Sequence, residues 1–304
     1  MQTKQWPKKR RYDGVRFSIY PYLFIAPTMI LIGIFSYYAF FKGLWNSLTD
    51  YRITNRVTEF VGFENYRTLF GPDGLVFWKS FGNQAIITAF SVINAIFWPL
   101  LTAELLFFVR RKRIANTIKS MFVMPMLVPG IVVTLIWRFL YNKSFGFNSL
   151  LNTLGLKMLT HDWMKESGTA MFSVIFMGFP FVSGLNFLIF HSAVNNVGTE
   201  LYEAAVTDGA NSWQVVRHVH IPNVMGYVSV IATLSLIGSL SGFGSILATT
   251  NGGPGNTTMV PALLMYRIAF TDGRFGYASA MAVVIMLIIL ILTAIQRKLV
   301  RGDD

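Results

Sequence analysis

The sequence is poor in the features that soluble enzymes use. None of its 304 residues is a cysteine, and 14 acidic residues stand against 26 lysines and arginines. The absence of cysteine excludes a disulfide framework, a thiolate metal site and a thiol nucleophile. Charged residues make up 13% of the chain, against roughly 25% in a typical soluble domain.

The chain also lacks recognisable catalytic motifs. It contains no G-x-x-x-x-G-K-S/T phosphate loop, no nucleophile–base pair and no metal-ligand spacing around its four histidines. We therefore expect no catalytic residue, no metal site and no bound cofactor in this chain.

Long apolar runs dominate the sequence instead. Hydrophobic residues make up 53% of it, and the mean hydropathy of +0.50 is typical of polytopic membrane proteins. Each of six runs is long enough to cross a bilayer as a helix. The six runs are Ile19–Phe41, Gln84–Val109, Ser120–Leu140, Ala170–Phe190, Val224–Thr249 and Tyr277–Ile295. We predict an all-α polytopic membrane protein with six transmembrane helices, whose membrane domain spans residues 19–296.

Basic residues lie directly beside the apolar runs. The N-terminal residues 1–18, the turn Arg110–Arg113 and the C-terminal tail 297–304 are rich in lysine and arginine. With six spans these three segments fall on one side, which the positive-inside rule identifies as the cytoplasm. The net charge of +12 therefore needs no nucleic-acid partner.

Residues 198–222 form a polar, partly acidic segment between the fourth and fifth runs. Good helix formers from Glu200 to Asp208 predict a short helix, which Gly209 ends because glycine tolerates a positive φ. Ser212 is a candidate cap for a second short helix carrying Trp213 and Val216 as an apolar stripe. Pro222 then ends that helix or opens the next span.

Two interpretations of this segment compete. An interfacial amphipathic helix should carry lysine and arginine on its polar face, because the inner leaflet is anionic. Here the polar face carries Glu200, Glu203 and Asp208. A helix–turn–helix that docks another protein in the cytoplasm fits the acidic face better. The paired alanines beside Glu203 would let a partner backbone come close.

Some polar residues lie within the predicted spans. The segment Gly178–Phe181 predicts a kink in the fourth span, and Asn186 follows it. Glu104, near the end of its span, is expected to pair with an arginine of the adjacent basic turn. The histidines at 191, 218 and 220 are expected at an interface.

The docking segment resembles a known motif. The residues concerned are Glu203-Ala204-Ala205, Asp208-Gly209-Ala210 and Ile221-Pro222. They are similar to the "EAA" loop of permease subunits in binding-protein-dependent ABC importers, and we call residues 198–222 the EAA loop. One departure precedes it: residues 191–197 stand where the family usually has an "LxxIP" sequence.

Further motifs resemble the carbohydrate-uptake branch of that family. They are Phe60–Tyr66 ("GxxNY"), Met124-Pro125 with Trp137–Leu140, Phe145-Gly146-Phe147-Asn148 (similar to "GxxN"), Asn251–Thr258 ("GGPxxxT") and Phe275–Ala280. The last two match the first of the two permease types in maltose-type heterodimers. The resemblance covers roughly residues 20 to 297.

The resemblance implies partners and site residues. It implies a second permease subunit, two ATPase subunits that hold ATP and Mg²⁺, an extracytoplasmic substrate-binding protein, and a bacterial or archaeal cell membrane. The ATPase-coupling residues would be Glu203, Ala204, Ala205, Asp208, Gly209, Ile221 and Pro222. The candidate substrate pathway is Gly178, Phe181, Asn186, Ser235, Ser239 and Gly244, of which Phe181, Ser235, Ser239 and Gly244 fall on sugar-contact positions of the maltose subunit. Tight helix packing is the alternative for each of these six.

Other functions stay open at this point. A secondary transporter driven by an ion gradient usually buries carboxylates or lysines near the midplane and contains inverted repeats, and neither is evident here. A membrane-embedded enzyme would need a cluster of titratable residues in its spans. A permease of an importer for a non-sugar substrate shares the physical logic but fits the outer motifs less well.

Overall fold

The computed structural model describes residues 19–54 and 58–301, so the predicted N-terminal segment 1–18 and residues 302–304 lie outside it. Within the described residues the chain is helical, and its one β-bridge joins Thr49 and Phe60. The helices are α1 (Tyr20–Asn46), α2 (Glu64–Phe70), α3 (Leu75–Phe107), α4 (Lys112–Val123), α5 (Gly130–Leu140), α6 (Gly146–Thr153), α7 (Ser167–Phe176), α8 (Gly184–Asn195), α9 (Thr199–Thr207), α10 (Ser212–Ser241), α11 (Gly244–Ala248), α12 (Pro261–Phe270) and α13 (Phe275–Arg301).

The described chain divides between Trp45 and Asn46 into two compact units. The first unit holds almost all of α1, which matches the first predicted span. Its α-helical part, Tyr20–Ile32, is apolar on every side and has no buried residue. An apolar helix without a core-facing stripe is suited to lipid, because only a hydrocarbon surrounding accepts such a surface.

The second unit is built around α3. Near its start Phe77 packs with Leu69 of α2 and with Tyr277 and Met281 of α13. Near its end Ala103 and Leu106 pack with Phe187 and Phe190 of α8 and Ile231 of α10. A helix of 33 residues is about 50 Å long. The two clusters therefore stabilise opposite ends of one long helix.

Four helices in the described residues are long and apolar enough to cross a membrane. They are Tyr20–Asn46, Pro72–Phe107, Ser212–Ser241 and Phe275–Lys298. They confirm the helical character of the first, second, fifth and sixth predicted spans. The predicted boundaries of the second and fifth spans are wrong, because these helices begin about twelve residues earlier and extend beyond the apolar stretch.

The third predicted span, Ser120–Leu140, is not one straight helix. Its two parts, Lys112–Leu127 and Gly130–Leu140, meet at an angle of 91°. Val128 at the bend is extended, with ψ of 124°. The residue before a proline is disfavoured in the helical region, and Pro129 follows Val128. The proline therefore accounts for the bend that the apolar pattern did not predict.

The fourth predicted span, Ala170–Phe190, is broken and not merely kinked. Helix α7 ends at Phe176 and α8 begins at Gly184. Between them Gly178 and Phe181 have positive φ, of 98° and 62°. A helix cannot pass through residues in that conformation. By length and apolarity neither α7 nor α8 alone qualifies as a membrane span.

The fifth predicted span also differs from its prediction. Helix α10 contains a π-helical turn, Val216–His220, directly before Pro222. The wider turn accommodates the proline ring, which clashes with the preceding turn in a regular helix. Pro222 lies in the first turn of the α-helical segment Ile221–Ser241, which agrees with the prediction that it opens the fifth span. The helix stops at Ser241 instead of Thr249, and α12 was not predicted at all.

Candidate functional site

The EAA loop folds as two helices joined by a glycine turn. Helix α9 ends at Thr207, and Gly209 has a φ of +84°, as the sequence predicted. The cap of the second helix is Asn211 and not the predicted Ser212. The Asn211 side chain accepts from the Gln214 N–H at 2.9 Å, and the Gln214 side chain accepts from the Asn211 N–H at 2.8 Å. This reciprocal pair fixes where α10 begins.

The motif residues of the EAA loop lie at the surface. Glu203, Ala204, Asp208 and Gly209 are exposed and Ala205 is half-buried. Among the described residues no side chain donates a hydrogen bond to the carboxylate of Glu203 or Asp208. Between the two helices lies a cleft of about 260 Å³, lined by Ala205, Asp208, Gly209, Ala210, Gln214, His218 and Val219.

Tyr202, which the sequence reasoning missed, faces the body of the subunit. Its ring packs edge-on against Phe107, the last residue of α3, with centroids 5.5 Å apart. Leu201 and Ala204, two apolar residues of the same helix, are exposed. Helix α9 thus turns a single aromatic residue inward and keeps the small apolar face outside.

Below Phe107 lies a buried polar pair. His220 Nδ1 is 2.7 Å from Glu104 Oε2, and the two residues are 0% and 6% exposed. The expected pairing of Glu104 with an arginine is therefore wrong, and His220 is not an interface histidine. Neither residue is distinctive in sequence, because 116 positions separate them.

The last two coupling candidates stand where α10 leaves the EAA loop. Ile221 is half-buried and Pro222 is exposed. Ile221, Trp213 and Val216 line one side of an apolar cavity of about 670 Å³, whose other side is α3. The predicted stripe of Trp213 and Val216 therefore faces this cavity.

The candidate pathway residues of the broken fourth span sit at the break. Gly178 is exposed, whereas Phe181 is half-buried and contacts Phe176 and Phe179, with ring centroids 5.8 and 5.5 Å away. A positive φ is uncommon for a residue as bulky as phenylalanine, and such conformations cluster at functional sites. The break presents an aromatic ring on an irregular backbone.

Two other pathway candidates bond to α3. Asn186 donates to the carbonyl of Ala95 at 3.0 Å. The Ser239 hydroxyl lies 3.0 Å from that of Thr88, and the buried Gln84 donates to the Ser239 carbonyl at 3.0 Å. Gln84 and Thr88 were not singled out from the sequence. These bonds favour a packing role for Asn186 and Ser239.

Ser235 and Gly244 differ from that pair. Ser235 is half-buried and Gly244 is exposed. Within residues 19–54 and 58–301 the Ser235 hydroxyl has no hydrogen bond, which leaves it available to a ligand.

Two sequence motifs, "GxxNY" and the Phe275–Ala280 segment, meet near the start of α3. The Asn65 amide of "GxxNY" donates to the carbonyls of Ser47 and Thr49 at 2.9 and 2.8 Å, and the Tyr66 hydroxyl lies 2.8 Å from that of Ser47. Gly276 donates its N–H to the Tyr51 carbonyl at 2.9 Å. A Cβ at Gly276 would lie 2.0 Å from the Thr49 oxygen. These motifs therefore clamp the chain's own backbone.

The "GxxN" motif organises the loop before α7. The buried Asn148 donates to the carbonyls of Lys143 and His161 at 3.0 and 2.7 Å and accepts from the Trp163 indole at 2.8 Å. Nearby, Glu166 accepts from the Asp162 N–H at 2.7 Å. This bond, aided by the His161 ring, holds the pKa of the exposed Glu166 carboxyl below its ordinary value.

The "GGPxxxT" loop is likewise bonded inward. Thr258 is fully buried and donates to the Gly253 carbonyl at 2.8 Å. Asn83 of α3 donates to the carbonyls of Asn256 and Met259 at 3.0 and 2.9 Å. The loop is thereby tied to the same end of α3 as "GxxNY".

Comparison with known proteins gives a consistent result. Residues 95–302 match the family described as binding-protein-dependent transport system inner membrane component. The probable ABC transporter permease protein YurN of Bacillus subtilis is 32% identical over 284 residues, covering 92% of this chain and 96% of that protein. The multiple sugar-binding transport system permease protein MsmF of Streptococcus mutans is 30% identical over 277 residues, covering 91% and 93%.

A solved structure agrees in fold. One chain of the bacterial alginate ABC transporter, in complex with alginate pentasaccharide-bound periplasmic protein, superposes with a TM-score of 0.79. It is 20% identical and covers 93% of this chain and 94% of that one. The family match and the sequence relatives each span most of the chain. This chain belongs to the family of inner membrane components of binding-protein-dependent transport systems.

Proposed function

We propose that the chain is one of two permease subunits of an ATP-driven importer for a sugar or oligosaccharide. Two of the proteins described above concern carbohydrate transport: MsmF is named for multiple-sugar transport, and the solved structure is that of an alginate transporter. The observation that carries the proposal is the surface of the EAA loop. Glu203 and Asp208 are exposed, and among the described residues no side chain donates a hydrogen bond to either carboxylate, so both are available to a partner.

The partner at the EAA loop is an ATPase subunit. Its groove takes the small face of α9, formed by Leu201 and Ala204, and presents a basic or donor group to Glu203. ATP and Mg²⁺ are held by two such subunits, since this chain has no phosphate loop. When the ATPases close around ATP, they displace the loop, and the helices rock from an inward-facing to an outward-facing arrangement.

The remaining partners lie in and beyond the membrane. A second, different permease completes the pathway, and an extracytoplasmic binding protein delivers the substrate. The periplasmic protein in the alginate complex supports that arrangement by analogy of fold. Ser235, Gly244 and the ring of Phe181 are the residues best placed to meet a sugar, since hydroxyls and aromatic faces suit its polar edges and apolar C–H faces.

Six spans accommodate the described helices. The bent pair α4–α5 and the broken pair α7–α8 each form one span, besides the four continuous helices. The EAA loop packs at the end of α3 where Arg110–Arg113 follows, so the positive-inside rule places both in the cytoplasm of a bacterial or archaeal cell. Even span number puts the N- and C-termini there too.

The test is co-purification of the chain with its permease and ATPase partners, followed by transport in vesicles. Glu203→Lys reverses the charge at the proposed contact, and Gly209→Pro forbids the positive φ of the turn. We expect both variants to lose the ATPase while the two permeases stay together.

Asp73→Lys supplies the control. Asp73 is an exposed acid at the opposite end of α3, so the variant makes a similar change in net charge far from the loop. It should retain the ATPase. If the Glu203 and Gly209 variants bind ATPase and transport like the wild type, the EAA loop is not the coupling surface, and a gradient-driven transporter becomes the better reading.

A further inference from the structure

The buried Glu104–His220 pair joins the two elements that flank the EAA loop. Glu104 lies in the last turn of α3, and His220 ends the π-helical turn through which α10 leaves the loop. Their 2.7 Å hydrogen bond is shielded from solvent. Among the described residues Glu104 Oε1 and His220 Nε2 have no other hydrogen-bond partner. Each side chain therefore depends on the other for its polar contact.

Phe107 connects this pair to α9. Its ring lies edge-on to His220, with centroids 4.6 Å apart, and edge-on to Tyr202 at 5.5 Å. Helix α9 has only nine residues, and helices of that length are marginal without tertiary support. A contiguous set of contacts thus runs from α9 through Tyr202 and Phe107 to His220 and Glu104.

We propose that the Glu104–His220 bond is a joint that keeps α3 attached to the base of the EAA loop, so that displacement of the loop moves α3. The inference rests on the proposed function, since the displacement comes from the ATPase. Both residues act as positioning residues: neither touches the ATPase surface or the substrate. A packed hydrogen-bonded joint transmits displacement because it has few alternative arrangements.

The energetic cost of breaking the Glu104–His220 bond distinguishes it from general packing. Removing one partner strands a buried polar group, which is costly, whereas exchanging both partners keeps the bond. The swapped variant Glu104→His/His220→Glu should therefore recover what either alanine variant loses. A role in packing alone would not show this rescue.

The experiment uses the assembled importer in vesicles and measures ATPase binding, ATP hydrolysis and substrate uptake per ATP. Glu104→Ala and His220→Ala should keep the ATPase bound but lower uptake per ATP about tenfold, within the usual range of coupling between sites. The swapped variant should regain most of it. Asn223→Ala is the matched control, because Asn223 is exposed three residues further along and donates a hydrogen bond within its own helix, to the Val219 carbonyl.

The cysteine-free sequence allows a second test if the alanine variants fail to assemble. In Glu104→Cys/His220→Cys, a short thiol-reactive bridge replaces the hydrogen bond. We expect low uptake per ATP in the reduced form and recovery in the bridged form. Unchanged uptake in every variant, or a bridge that stops transport, would overturn the joint. A wild-type complex that never binds ATPase would instead overturn the proposed function.

Discussion

The two ends of α3 carry equally distinctive sequence motifs but use them differently. At the start, "GxxNY", "GGPxxxT" and the Phe275–Ala280 segment bond to the backbone of the subunit itself, and Thr258 is fully buried. At the end, Glu203 and Asp208 of the EAA loop stay exposed. A motif whose side chains are satisfied inside the subunit maintains its fold, whereas one whose side chains face solvent is kept for a partner.

The largest expected effect is that of Gly276→Ala. The new Cβ would lie 2.0 Å from the Thr49 carbonyl oxygen. The backbone at Thr49 or at position 276 must therefore move. We expect the free energy of unfolding to fall by about 3 kcal/mol, at the upper end of overpacking costs. Thermal unfolding of the purified chain in detergent measures this.

Gly82→Ala is the control for that variant. Gly82 lies inside α3, near the same end, and a Cβ there would meet no atom within 4 Å. Alanine favours a helix interior over glycine by about 1 kcal/mol, so this variant should be neutral or slightly more stable. If both variants unfold alike, the close approach at Gly276 is not what holds the motifs together.

Asn65→Ala should have the next largest effect. It removes an amide that donates to the carbonyls of Ser47 and Thr49. Losing these two hydrogen bonds should cost about 1–3 kcal/mol of unfolding free energy. Asn152→Ala, at an exposed position in α6, serves as the control and should unfold like the wild type. Equal melting temperatures for the two variants would contradict a structural role for Asn65.

Gly209→Ala tests the exposed motif, the EAA loop at the other end of α3. A Cβ at Gly209 would meet nothing within 4 Å, but its φ of +84° disfavours any other residue. We expect a loss of about 1–2 kcal/mol in the turn. Because the turn shapes the exposed loop, the free energy of ATPase binding should fall by more than the free energy of unfolding of the chain. Titrating ATPase onto wild-type and variant permease complexes checks this, and a variant that melts early but binds normally would refute it.

The sequence predicted correctly the helices that are defined by a long apolar run. α1, α3, α10 and α13 are long enough for composition alone to identify. It did not predict the bend at Val128, and at Gly178–Phe181 it predicted a kink where the helix breaks, because local proline and glycine geometry overrides a continuous apolar run. Helix ends were also misplaced, since α3 and α10 extend beyond the apolar stretch.

The candidate site residues also divide into those that the sequence predicts and those that it does not. The EAA loop was predictable because helix formers, Gly209 and acidic residues are adjacent in the chain. The Glu104–His220 pair was not, because its partners are 116 positions apart and neither has a distinctive neighbourhood. The bonds of Gln84 and Thr88 to Ser239 were missed for the same reason, because the residues that flank a position in sequence do not identify its tertiary partner.

The smallest predicted effect concerns Glu166, and it depends on pH. The Asp162 N–H and the His161 ring hold the Glu166 pKa below its ordinary value of 4.5. A depressed carboxyl pKa stabilises the folded chain above the unfolded pKa, and this stabilisation disappears as pH falls through the folded value. Glu166→Gln should therefore melt slightly below the wild type near neutral pH, and the two should converge in acid. Melting curves across that range test this, and a constant gap would show that the carboxylate charge does not stabilise the loop.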